Sequence, residues 1–270
     1  MTSTVTMNLN TLFKTRGACW SISSACSSGG HAIGQAGDLI ALGRQERVIC
    51  GGAQEINWES MCSFDGLGAF STRLDAPQAA SRPFSRDRDG LVPGGGAAAV
   101  VLERYDLAVA RGATILGELL GYAFSSDGNQ LSVPSVGGLQ RAMCGALTAA
   151  RLQPNDIDYL CAHATSTPAG DSAEAQNISA VFGAQTPPVS SLKGLTGHEL
   201  WMSGASQVVY STIMAQQGFI AANANFSGPD EDSARLDIVT ETLQRSPRRV
   251  LCNSAGFGGT NSCLVLGFGG

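Results

Sequence analysis

The sequence predicts a layered α/β fold in which mixed sheets are covered by helices, and three observations carry that reading. Apolar runs short enough to be buried strands recur along the chain, and amphipathic stripes at helical spacing lie between them. The 270 residues include 34 glycines and only 14% charged side chains, so the elements can approach closely. Alternating strands and helices of this kind stack into sheets flanked by helices.

In chain order, Ser3, Val5, Leu9, Leu12 and Phe13 mark an N-terminal helical stretch. A short apolar segment, Trp20 to Ala25, turns at Cys26 into a helix of small residues. Val48 to Gly52 and Ala97 to Leu102 read as interior strands. Between them, Ser71 to Pro93 is polar and rich in Arg, Asp and Pro. It is expected to be a long surface loop whose Arg82, Arg86 and Arg88 are solvated beside Asp87 and Asp89. Leu139, Ala142, Met143, Ala146, Leu147 and Ala150 define an amphipathic helix that ends at the 152–156 turn. Ile157 to Ala162 is then a buried strand delivering His163. Ala205, Val208, Val209 and Thr212 mark another helix, and Val250 to Asn253 and Cys263 to Leu266 are interior strands.

Composition excludes several classes. A net charge of −5 without a long basic run argues against a nucleic-acid groove, and no apolar run is long enough to span a bilayer. The eight cysteines are scattered through apolar segments, with no C-x-x-C pair, as expected of reduced thiols in the cytoplasm. Cys161 and His163 lack the two further ligands of a zinc site, so no metal is expected. The glycine run Gly94–Gly96 satisfies G-x-G-x-x-A but leads into a strand, where a dinucleotide fingerprint must open a helix. Asp87-x-Asp89-Gly90 lacks the remaining ligands of a calcium loop, and no G-x-S-x-G is present.

Four pieces carry chemistry. Cys26 enters a helix N-terminus, where free N–H groups and the dipole favour a thiolate nucleophile. His163-Ala-Thr165-Ser-Thr167 sets a histidine at a strand end before small hydroxyl residues. Lys193-Gly-Leu-Thr-Gly-His198 is a basic pair in a Gly-rich loop, and Gly256-Phe257-Gly-Gly-Thr-Asn261 is a turn exposing backbone N–H groups. His31, inside the helix after Cys26, reads as a structural histidine.

In this order the four motifs closely resemble those of the β-ketoacyl-acyl carrier protein synthases, nearest to the type I and II elongation enzymes. The likeness extends over essentially the whole chain, including Gly51-Gly52-Ala53 and Phe64-Asp-Gly-Leu-Gly-Ala-Phe70-Ser71. The resemblance implies a thiolase-like fold, layered α-β-α-β-α, of two similar halves. Residues 1–103 would be the remnant of the N-terminal half carrying the nucleophile, and 104–270 the C-terminal half carrying the histidines. It implies an acyltransferase of fatty-acid or related polyketide elongation, performing decarboxylative Claisen condensation of a Cys26-bound acyl chain with a malonyl thioester. His163 and His198 would stabilise the enolate, with Lys193 tuning His163 and Glu174 as its acidic companion. Thr165 and Thr167 would bind the phosphopantetheine arm. The N–H groups of Cys26 and Phe257 would form an oxyanion hole and the Phe257 ring would gate the acyl pocket; Phe64 is a candidate for that pocket's wall, with a plain core aromatic as the equal alternative. No cofactor is implied beyond the phosphopantetheine of the carrier. The implied partners are an acyl carrier protein and a second subunit in a homodimer or heterodimer; Lys14, Arg44 and Arg47 are candidates for the carrier's docking site, the alternative being plain solvated charges.

Several positions depart from the family pattern: Ala164, the run Glu199-Leu200-Trp201-Met202 after His198, and Ala255. They bear on chain-length preference rather than reaction class. Only 25 residues precede Cys26, which predicts a synthase lacking its N-terminal portion and less than full activity for the isolated chain. Two rivals remain open: a non-catalytic chain-length-determining partner, and a thiolase using Cys252 or Cys263 as a second catalytic cysteine.

Overall fold

The computed structural model describes residues 3–129 and 134–269. Its helices and strands run α1 (Thr4–Phe13), α2 (Ser28–Ala41), β1 (Arg47–Gln54), α3 (Trp58–Gly66), β2 (Gly96–Glu103), α4 (Tyr105–Ala110), β3 (Glu118–Ser126), α5 (Gly138–Ala150), β4 (Tyr159–Cys161), α6 (Pro168–Phe182), β5 (Pro188–Ser190), α7 (Lys193–Thr196), α8 (Ser203–Gln217), β6 (Asp237–Ile238), β7 (Arg249–Gly256) and β8 (Thr260–Gly267). They form a six-stranded sheet, order β3-β8-β7-β4-β5-β6, and a separate antiparallel pair, β1-β2. In the large sheet β3, β8 and β7 pair antiparallel, whereas β7, β4, β5 and β6 run parallel.

The elements stack in alternating layers. Helices α5 and α6 pack together on one side of the large sheet, with α5 against β3 and β8. On the other side α2 and α8 touch each other and both sheets. Strands β7 and β8 are buried along nearly their whole length because helices cover both faces, as their unbroken apolar runs predict. Helix α5 buries Leu139, Ala142, Met143, Ala146 and Leu147 of the predicted stripe, leaves Ala150 half-buried against the same core, and stops where Arg151 turns left-handed (φ 56°).

Two expectations are corrected. The strands β1 and β2 are not interior: they are half-exposed, with Val101 56% accessible, because only one face of the pair meets helices. Nor is 71–93 solvated throughout, although Arg86 and much of its first half are exposed as expected. Phe84 is fully buried in the α5–α6 core, and Arg82 and Arg88 are buried in polar networks. The neighbouring acids that made those arginines look solvated are among their partners: Arg82 bonds the Asp87 carbonyl and the Asp89 carboxylate. Helix α1 is present but buries none of its residues. Strand β3, whose register with β8 shifts between Leu119 and Gly121, escaped the sequence reading.

Glycine sets the distance between α2 and α8. A Cβ on Gly204 would stand 2.3 Å from the Gly30 nitrogen, and one on Gly29 would stand 2.8 Å from the Ala205 nitrogen. Gly204→Ala is therefore expected to lower stability by at least about 2 kcal/mol, through backbone-to-backbone overpacking. Gly66→Ala, at a helical position with open space around it, should be neutral or stabilising by up to about 1 kcal/mol. Urea unfolding midpoints of the two variants test the contrast.

Candidate active site

The four motifs converge on one cavity of about 380 Å³, lined by Cys26, Phe64, His163, Thr165, Thr167, Glu174, His198 and Phe257 among others. Cys26 sits in a tight turn just ahead of α2, after Ala25 in a left-handed conformation (φ 46°). Hydroxyls hold that turn. Ser27 Oγ donates to the Ser24 carbonyl (2.7 Å), Ser28 Oγ to the Ala25 carbonyl (2.6 Å), and Thr260 Oγ1, from the glycine hairpin, to the Ser24 carbonyl (3.0 Å). The β7–β8 hairpin closes through Gly258 and Gly259, both left-handed. Gly256 has no room for a side chain, since a Cβ would lie 3.0 Å from the Cys26 nitrogen.

His198 Nε2 lies 3.2 Å from Cys26 Sγ, and its Nδ1 faces Ser203 Oγ at 3.3 Å. The His163 ring stands edge-on to His198, centroids 5.3 Å apart, and its Nδ1 is buried with no hydrogen-bond partner among the described residues. Burial, with the nearby positive Lys193, holds both imidazoles well below the ordinary histidine range, so both are neutral.

Cys26 differs from the sequence expectation. Burial pushes its thiol up to about 11, and the opposing pulls of Lys193 and of the Phe257 and Cys26 N–H groups do not offset that cost. The helix start does not win, because α2 begins two residues later, at Ser28. At rest the sulfur is a thiol beside a neutral imidazole.

Glu174, on α6, braces the His163 strand end. Its carboxylate accepts from the backbone N–H of His163 (2.8 Å) and of Ala164 (2.6 Å), and from Asn253 Nδ2 (3.0 Å). Lys193 is buried and acts on Glu174 through space; no ion pair joins them among the described residues. Thr165 and Thr167 bring their Oγ1 atoms to 3.1 Å of each other. Phe64 stands on α3, whose start is capped by the Asn57 side chain, and stacks on Phe257 and Phe70 at centroid distances of 5.5 and 6.3 Å. His31 is structural as expected, with Nδ1 2.7 Å from Tyr122 OH.

The departures repack rather than crowd the cavity. The Ala164 methyl joins the α5–α6 core, Glu199 is buried and accepts from Tyr210 OH (2.7 Å), and Leu200 packs with Met61, Phe64 and Leu91. Ala255 does line the cavity. Cys252 and Cys263 do not; both are buried in the sheet core. Sequence reasoning missed Asp127, which lines the cavity and binds Asn261 Nδ2 (2.6 Å), and Asp171, which accepts from the Thr165 N–H (2.9 Å). Asp127 carries no local signal because Asn261 arrives from 134 residues away, and the second partner of Asp171, the Phe84 N–H, is 87 residues away. No cluster able to hold a metal ion occurs among the described residues, and no helix there is long and apolar enough to cross a membrane.

Comparison with known proteins places the chain in a family. The family model for the N-terminal domain of β-ketoacyl synthases matches residues 1–108, and that for the C-terminal domain matches residues 116–227. The chain belongs to the β-ketoacyl synthase family. The 3-oxoacyl-[acyl-carrier-protein] synthase 1 of Escherichia coli K12 is 45% identical over 98% of this chain and 65% of its own length. Synthase 2 of Vibrio harveyi is 38% identical over 96% of this chain and 64% of its own. The chain thus spans less than two thirds of the length of these curated relatives. A β-ketoacyl synthase from Burkholderia phymatum STM815 superposes with a TM-score of 0.96 at 39% identity, covering 99% of this chain and 66% of that one. A type II polyketide acyl-carrier protein solved in complex with its ketosynthase contains a chain matching at 0.94 and 30% identity, over 99% and 67%. The fold is that of the ketosynthases, which is thiolase-like.

Two outcomes follow from the electrostatics. At pH 8, alkylation of Cys26 by iodoacetamide should be at least about ten-fold slower than at the exposed Cys62 and Cys144. Lys193→Met should slow Cys26 further, because it removes the charge that favours thiolate; peptide mass spectrometry reads each site. Because His163 and His198 have depressed pKa values when folded, the unfolded chain binds more protons below about pH 6.5. Stability should therefore fall on acidification from pH 7 to 5, and the slope should flatten in a His163→Asn/His198→Asn double variant.

Proposed function

We propose that this site is the condensing centre of a β-ketoacyl-[acyl carrier protein] synthase acting in fatty-acid or related polyketide elongation. The observation that carries the reading is the convergence of a buried thiol, two neutral imidazoles and two backbone N–H groups on one cavity. That set suits acyl transfer through a thioester followed by carbanion chemistry.

In the first half-reaction His198 Nε2 takes the Cys26 proton as sulfur attacks the thioester carbonyl. The oxyanion is held by the N–H groups of Cys26 and Phe257. Collapse breaks the bond to the carrier's sulfur, which leaves as the thiol with that proton. In the second, the malonyl carbon–carboxylate bond breaks, carbon dioxide departs, and its electron pair forms an enolate facing His163 and His198. The enolate carbon attacks the acyl carbon on Cys26, and the sulfur is expelled as a thiolate that takes up a proton from solvent, restoring the resting thiol. Acyl transfer between thioesters is near-thermoneutral, so loss of carbon dioxide drives the carbon–carbon bond formation and the substrates supply the driving force themselves. His198 serves both halves, as proton acceptor and then as N–H donor, because the Ser203 hydroxyl can donate to or accept from its Nδ1.

Substrates would arrive on the phosphopantetheine arm of an acyl carrier protein, with Thr165 and Thr167 receiving the arm. Of the basic residues expected at the docking site, Arg47 is bound to Glu103 on the same sheet, while Lys14 and Arg44 are exposed. A cytoplasmic setting fits the eight free cysteines, and a second subunit of the same family, identical or related, would complete a dimer. Residues 1–103 and 104–270 would be its two thiolase-like portions.

Intact-protein mass after incubation with an acyl carrier protein loaded with acyl groups tests the reading. Wild-type chain should gain one acyl mass and Cys26→Ala none, while Cys252→Ala and Cys263→Ala should still be acylated. His163→Ala should acylate but lose carbon dioxide release from the malonyl carrier by at least about a hundred-fold. Acylation that depends on Cys252 or Cys263 would instead identify a thiolase.

A further inference from the structure

The tripeptide Thr165-Ser166-Thr167 offers two hydroxyls to the cavity from a constrained backbone. Ser166 is left-handed (φ 72°) and fully buried, a conformation that a side chain other than glycine adopts only when its surroundings impose it. Its surroundings do so from three directions. At one end Asp171 Oδ1 accepts the Thr165 N–H (2.9 Å). In the middle the Arg82 N–H donates to Ser166 Oγ and the Gly90 N–H to the Ser166 carbonyl, both at 3.0 Å. At the other end the buried Arg88 guanidinium donates from Nε to the Thr167 carbonyl (3.2 Å) and from Nη2 to the Pro168 carbonyl (2.8 Å). Its Nη1 binds the Ser85 carbonyl (2.9 Å) and the Asp230 carboxylate, and its Nε lies 3.7 Å from Asp171 Oδ2.

We propose that Arg88 is a positioning residue that sets the Thr165–Thr167 hydroxyl pair for the polar arm of the thioester donor. This rests on the function proposed above, which places a pantetheine arm against those hydroxyls. Arg88 itself does not line the cavity. It acts through the two carbonyls that hold Thr167, and through Asp171, which holds Thr165. A planar fork reaches acceptors on the 85, 167–168 and 230 segments at once; the single ammonium of a lysine does not.

The test compares wild type, Arg88→Lys and Arg88→Ala with two donors of the same acyl group, one an acyl-pantetheine thioester and one an acyl thiophenyl ester without the arm. Cys26 acylation is followed by intact mass. In Arg88→Ala the half-saturating concentration of the pantetheine donor should rise about ten-fold, the equivalent of one or two hydrogen bonds to the arm. The arm-less donor should react near the wild-type rate, and Arg88→Lys should fall between. Equal slowing of both donors would make Arg88 merely structural and overturn the proposal, as would an unchanged ratio. Should Arg88→Ala fail to fold, Arg88→Lys carries the same comparison. Wild type accepting neither donor would instead sink the proposed function, and this inference with it.

Discussion

The site depends on one junction, the lacing of the Cys26 turn to the glycine hairpin between β7 and β8. Cys26 precedes α2, which lies between the two sheets, whereas the hairpin ends the buried core of the large sheet. Ser24, Ser27 and Thr260 join them by short hydroxyl bonds across more than two hundred residues of chain. Gly256 permits that approach because any Cβ would meet the Cys26 turn. Without the junction the Phe257 N–H would not face the sulfur, and the two imidazoles would have no thiol to serve.

Around that junction one buried cation, Lys193, shapes protonation through space, with no ion pair of its own among the described residues. It raises the cost of protonating His163 and His198 and eases ionisation of Cys26. Burial opposes it at the thiol and wins, because desolvation of an almost wholly buried sulfur outweighs one cation acting through space. The result is a set of neutral groups, reactive when a substrate carbonyl supplies the developing charge. Glu174 and Asp171, by contrast, spend their carboxylates on backbone N–H groups, and so hold the strand end and the threonine loop in place.

Much of this was legible in the sequence. The helical stripe of α5, the apolar runs of β7 and β8, and the strand that ends at His163 were visible because their burial is periodic or continuous along the chain. The motif histidines, Lys193 and Cys26 were visible because their local settings are distinctive. What failed were statements about environment. Arg82 and Arg88 read as solvated beside Asp87 and Asp89, yet Phe84 between them anchors the loop in the core and draws both arginines inward. The strands β1 and β2 read as interior, although only one face of that sheet is covered.

The sequence by itself determined which groups are available and the order in which they occur: one thiol at a turn of small residues, two histidines, a lysine, a glycine hairpin, and the family they identify. Tertiary structure alone decided that Cys26 is a thiol, that Glu174 braces a backbone instead of pairing with Lys193, and that Arg88 reaches the Thr165–Thr167 loop. The physical reason is the same in each case. Protonation and hydrogen-bond partnership follow from burial and from groups distant in the chain, and neither has a period or a local motif to betray it.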